Sequence, residues 1–134
     1  MGITILQSAE FAIRAGGSLD LPDSVLKELD LTVCAVHYKL NPSKKEQTQR
    51  LLKAMENPYF WILGHPTGRL IGRRDAYEVD IETIIEACSQ RGCILELNAQ
   101  PDRLDLNDIH CKMAKRRGSK SLSRQMLTPS VTLI

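Results

Sequence analysis

A repeated change of period constrains the fold of this chain most: short apolar runs suited to strands alternate with stretches whose apolar residues recur at helical spacing. Leu31-Thr-Val-Cys-Ala-Val-His37 is β-branched and reads as a strand. Tyr59-Phe-Trp-Ile-Leu-Gly64 and Cys93-Ile-Leu-Glu-Leu-Asn98 read likewise, with weaker signals at Ile3–Leu6 and Phe11–Ile13 and a turn at Gly16-Gly17. Between the strands, Pro22–Leu29 has the pattern of a short helix with Val25, Leu26 and Leu29 on one face. Ser43 opens a polar helix with Glu46 at capping-box spacing; its apolar face is Leu51, Leu52 and Met55, and it stops before Asn57-Pro58. Asp80 is placed to cap a helix in which Ile81, Ile84, Ile85 and Cys88 recur until Gly92 ends it. Asn107–Arg117 forms another, closed by Gly118. This alternation predicts an α/β fold with a largely parallel sheet, of the barrel or open-sheet class.

At 134 residues the chain supplies one domain with a modest core. An apolar fraction of 43% beside 25% charged residues excludes a disordered chain. A formal charge of +2 is too small to specify nucleic acid or a membrane as partner. No apolar run has the length of a bilayer span, and the first residues lack a signal-peptide pattern, so cytoplasmic residence with reduced thiols is expected. Cys34, Cys88, Cys93 and Cys111 contain no Cys-x-x-Cys pair. A zinc cluster of Cys88, Cys93, His110 and Cys111 fits no common finger spacing, and buried structural thiols are the expectation.

Two predicted strands end in histidine, at His37 and His65, and a third ends in Asn98. Chemistry in barrel-like α/β folds collects at the carboxyl ends of the strands, so these polar ends share one rim. Neutral imidazole suits zinc, manganese or iron, and a carboxylate such as Glu10 completes a mixed site. A local hydrogen bond explains a single histidine at a strand end. Two in parallel positions make a metal site an equal reading.

Several strings resemble one family. Gly17-Ser-Leu-Asp-Leu-Pro-Asp23, Ala35-Val-His37, Gly64-His-Pro-Thr-Gly-Arg-Leu-Ile-Gly-Arg73 and Glu96-Leu-Asn-Ala-Gln-Pro-Asp-Arg-Leu-Asp-Leu106 closely resemble the C-terminal domain of bacterial family X DNA polymerases, a PHP (polymerase and histidinol phosphatase) domain. The resemblance runs from about Glu10 to Lys120. It implies part of a distorted seven-stranded β/α barrel with divalent metal ions, manganese or zinc, at the strand ends. It also implies hydrolysis of DNA or another phosphoester, resembling a 3′–5′ exonuclease. Carried over by position, Glu10, His37 and His65 match metal ligands of the family, a set sufficient for one ion. Arg69 is placed to meet a substrate phosphate through its fork, with a structural role as the equal alternative. Asn98 is expected to stabilise the rim.

The family pattern also requires a His-x-His motif, a nearby Asp and a further His ahead of Glu10, so the chain is expected to be a piece of the domain. Ala12 and Gly16 stand where the family carries carboxylates. Residues 1–118 are expected to be the partial PHP domain and residues 119–134 a divergent tail. Read one base earlier, codons can be chosen for Ser123 to Pro129 that spell Ile-Ser-Thr-Asp-Ala-His-Ser, the string the family carries there. The tail is therefore expected to be out of frame and to form a poorly packed or opportunistic strand.

Three functional readings follow. The first is a phosphoesterase piece of weak or no activity. The second is a DNA-binding accessory module using the Lys112, Lys115, Arg116, Arg117, Lys120 and Arg69, Arg73, Arg74 clusters. The third is a non-functional product that self-associates through open sheet edges. Sequencing the gene across Leu122–Pro129 is expected to show the family string one base back; codons that do not spell it contradict the frame change.

Overall fold

The computed structural model describes residues 8–99, 101–125 and 130–133, so the weak strand signal at Ile3–Leu6 falls outside the described residues. The order of elements is β1 (Ser8–Ala12), α1 (Asp23–Leu26), β2 (Leu31–Ala35), α2 (Lys44–Met55), β3 (Ile62–Leu63), α3 (Ile81–Arg91), β4 (Ile94–Asn98), α4 (Asp108–Arg116), β5 (Lys120–Gln125) and β6 (Ser130–Leu133). The capping residues act locally as their chemistry demands. Ser43, Asp80 and Asn107 each accept a hydrogen bond from the backbone N–H three residues on, and Gly92 closes α3 in the left-handed conformation.

The sheet runs β1-β2-β3-β4-β5-β6 in chain order, with β1 to β5 parallel and β6 returning antiparallel on β5. Each parallel strand neighbours its successor. With right-handed crossovers the helices therefore fall on one face, the arrangement of a barrel wall whose edges among the described residues are β1 and β6. Along this wall α2 packs on α3, and α3 on α4. The two faces divide by strand alternation. Cys34, Leu63 and Leu95, in register across β2, β3 and β4, pack with Leu51, Ile84, Ile85, Cys88 and Ala114 of the helices. Val33, Ile62 and Leu122 form a second cluster with Leu31 and Ile94 on the other face.

One predicted strand is shorter than its sequence suggests. The run Tyr59–Gly64 yields only Ile62–Leu63. Its first residues are used in a turn, where Tyr59 N–H donates to Asn57 Oδ1 (2.8 Å) and Phe60 N–H to Asn57 O (3.0 Å). Trp61 N–H then donates to the Thr32 hydroxyl at 3.2 Å instead of to a strand neighbour. Residues 120–125 form β5, with Leu122 buried, and residues 126–129 lie outside the described ones. No helix among the described residues is long and apolar enough to cross a membrane.

Ile85 sits at the centre of the helix–sheet core and is fully buried. Ile85→Val is expected to lower the unfolding free energy by about 0.5–1.5 kcal/mol, read by urea denaturation. No loss would contradict this core placement.

Candidate metal centre

Glu10 lies on β1 with its side chain on the face opposite the helices, in register with Val33. His37 follows β2 by two residues, and His65 follows β3 by two. Gly64 precedes His65 in a place that excludes a side chain: a Cβ there would stand 2.9 Å from Val33 Cγ1, 3.3 Å from Ala35 Cβ and 3.4 Å from Glu96 Oε2. His65 itself takes a positive φ of 24°, which departs from strand alternation. The three side chains converge at this rim. His37 Nε2 lies 3.2 Å and His65 Nε2 3.3 Å from the same oxygen, Glu10 Oε1, and the rings are 5.3 Å apart at 57°. All three ligand atoms fall within 4.8 Å of one another.

This spacing fits a metal ion. Two donors bound about 2.0–2.2 Å from one ion in a tetrahedron stand about 3.3–3.5 Å apart, and these contacts sit at the long end for N–H···O bonds. The side chain of His65 is 6% exposed, that of Glu10 24% and that of His37 42%, which leaves the open positions of such an ion toward solvent on the His37 side. The buried His65 Nδ1 has no hydrogen-bond partner among the described residues. A ligating imidazole ordinarily donates through its second nitrogen, which here is Nδ1.

Backbone contacts fix the rim. Glu96, fully buried on β4, accepts the His65 N–H at 2.5 Å. Asp105, also fully buried, accepts Thr67 N–H (2.9 and 3.2 Å) and Gly68 N–H (2.9 Å), locking the turn after His65 to the loop after β4. Asn98 and Asp105 exchange backbone bonds at 2.5 and 3.1 Å, which tie the end of β4 to the loop that follows it. Arg69 Nε donates to Arg103 O at 2.8 Å and its Nη2 to Leu104 O, so part of its fork joins the same two loops. Arg74 gives both Nε and Nη2 to Gly68 O, and Arg117 pairs with Glu86 at 2.6 Å. Neither basic cluster is thus a free set of cations.

Sequence reasoning missed Glu96 and Asp105. An acid inside the apolar run Ile94–Leu97 was a usable signal for Glu96; Asp105 lies in a loop, and its role depends on tertiary contact. The cysteines are free thiols. Burial pushes the Cys34 thiol up to about 12, and the hydrogen bond that the Cys88 thiol donates to Cys93, together with burial, raises Cys88. Among the described residues, Glu10, His37 and His65 form the grouping of His, Cys, Asp and Glu able to hold a metal ion, and the cluster of Cys88, Cys93, His110 and Cys111 does not.

No protein-family model matches the chain. It is 42% identical over 114 residues, 85% of its length, to the DNA polymerase/3′-5′ exonuclease PolX of Bacillus subtilis. It is 35% identical over 101 residues to a protein described as a probable phosphatase from Caldanaerobacter subterraneus subsp. tengcongensis, and 32% identical to another from Thermoanaerobacter sp., each match covering 72% of the chain. The chain spans only 20% of the polymerase and 37% and 39% of the two phosphatases.

Burial lifts the Asp105 carboxyl above its ordinary value of 3.8, against the opposing pull of the Thr67 N–H. The folded protein therefore keeps this proton to higher pH than the unfolded chain does. Its contribution to stability is complete below the unfolded value and is lost as pH rises through the folded one. Asp105→Asn removes that titration. Urea denaturation from acid to neutral pH is expected to show wild type losing stability relative to the variant, whereas a constant difference contradicts the shift.

Proposed function

We propose, for a chain that belongs to the PHP phosphoesterase family with these relatives, that Glu10, His37 and His65 hold one divalent metal ion, manganese or zinc, at a site for phosphoester hydrolysis. The observation that carries this reading is the convergence of two imidazole nitrogens on a single carboxylate oxygen at 3.2 and 3.3 Å, at the carboxyl ends of neighbouring parallel strands. When bound, such an ion supplies Lewis acidity toward a phosphoryl oxygen and lowers the pKa of water. The chain's own groups supply the remainder. Glu10 provides the negative charge that favours a cation, and buried His65 provides a fixed ligand. Exposed His37 provides a ligand on the side that stays open to solvent.

DNA or another phosphoester is the proposed substrate. The remaining guanidinium N–H groups of Arg69 are the proposed contact to its phosphate. Three ligands support one ion, whereas in-line phosphoryl displacement is best served by paired ions on the attacking and leaving oxygens. Hydrolysis by this chain alone is therefore proposed to be weak or absent. Its open edges at β1 and β6 are the proposed route of self-association. A DNA-binding module without metal is less well supported, because Arg69, Arg74 and Arg117 are engaged in hydrogen bonds within the fold.

Calorimetric titration with Mn²⁺ tests the site. Wild type is expected to bind one equivalent, and both His37→Ala and His65→Ala to lose binding by at least tenfold. No binding by wild type contradicts the proposal.

A further inference from the structure

Arg50 is a charged side chain that the metal centre does not use and that the fold buries to 4% exposure. It projects from α2 toward the exits of β1 and β2. Its donors go to backbone carbonyls: Nε to Arg14 O at 2.9 Å, Nη1 to Tyr38 O at 3.2 Å and Lys39 O at 3.1 Å, and Nη2 to Ile13 O. Nη1 also lies 3.4 Å from Gln47 Oε1, and the guanidinium carbon stands 5.4 Å from the centre of the Tyr38 ring. No ion pair among the described residues includes Arg50.

Those carbonyls belong to two segments that carry ligands. Ile13 and Arg14 follow Glu10 by three and four residues, and Tyr38 and Lys39 follow His37 directly. Lys39 has a φ of 51°, so the chain turns sharply just beyond His37. His37 is itself exposed, and its recorded side-chain bond is the one to Glu10. The backbone behind it is thus held from α2. Four carbonyls arriving from two strand exits match the planar, five-donor fork of arginine, and a lysine ammonium cannot reach them together.

We propose that Arg50 is a positioning residue for the metal centre: its fork ties the exits of β1 and β2 together and so fixes His37 against Glu10 before any ion arrives. The inference rests on the metal-site reading above and is separable from it. Preorganised ligands bind without the entropy cost of ordering the loop, so release of the fork weakens binding even in a folded chain.

The test compares Mn²⁺ affinity of the full chain as wild type, Arg50→Lys and Ile85→Val, by calorimetry where urea curves show all three folded. Arg50→Lys is expected to weaken binding about tenfold or more, and Ile85→Val to stay within about twofold of wild type. Millimolar methylguanidinium is expected to restore binding to Arg50→Gly, and methylammonium is not. Arg50→Lys binding within twofold of wild type overturns the inference and leaves the metal site standing. Equal weakening by Ile85→Val also overturns it, since loss of stability alone would then account for the effect. Absence of binding by wild type removes both.

Should the Arg50 variants not fold, wild type decides by nuclear magnetic resonance. In the metal-free protein the Arg50 Nε–H is expected to be protected from exchange and the His37 ring to give resonances of one ordered position, before Zn²⁺ is added. Rapid exchange of that N–H, or a His37 ring that becomes ordered only with Zn²⁺, overturns the inference.

Discussion

Parallel pairing of β1 through β5 in chain order requires every crossover to carry the chain from the carboxyl end of one strand back to the amino end of the next. Each α-helix between these strands repeats that return, and the loops that leave the strands gather at one rim. Three side chains far apart in sequence meet there because β1, β2 and β3 are adjacent and share a direction. The helix–sheet core built on Cys34, Leu63, Leu95 and Ile85 keeps the strands in register, and so keeps Glu10 facing the histidines. Packing energetics and site geometry are linked through this register, since a slip of one residue would turn Glu10 to the opposite face.

A rim of polar loops needs its own support, and buried polar groups supply it. Glu96 holds the His65 peptide, Asp105 holds the turn after it, and Arg50 reaches the carbonyls beyond β1 and β2. Each is buried, and each takes backbone partners that would otherwise be left without hydrogen bonds away from water. Glu96 stands behind His65, and Arg50 behind Glu10 and His37, so the rim is braced by residues outside the candidate centre. His65 Nδ1 and Thr67 Oγ1 at the same rim are exceptions to this satisfaction, buried without a partner among the described residues.

The parts of the fold legible in the sequence were those set by local chemistry. Ser43, Asp80, Asn107 and Gly92 end helices through bonds within a few residues, and such signals survive without tertiary context. His37 and His65 were legible because they end apolar runs; Glu10 was a candidate carboxylate to complete the set, and family resemblance matched all three to ligand positions. The length of β3 was not, since Thr32 and Asn57 take the bonds of Tyr59–Trp61 from outside the run. Helix α2 hid its second role in the same way. Its apolar face was read as Leu51, Leu52 and Met55, yet Leu52 is only half-buried, while Gln47 and Arg50 are buried. A buried arginine looks like surface in a sequence until its carbonyl partners are known.

X-ray absorption at the zinc edge of the Zn²⁺-loaded full chain tests the central claim most directly. It predicts a first shell of nitrogen and oxygen scatterers containing two imidazoles, reduced to one in either His37→Ala or His65→Ala. A shell with sulfur ligands, or with two imidazoles that survive loss of either histidine, would contradict the assignment of Glu10, His37 and His65 as the metal centre.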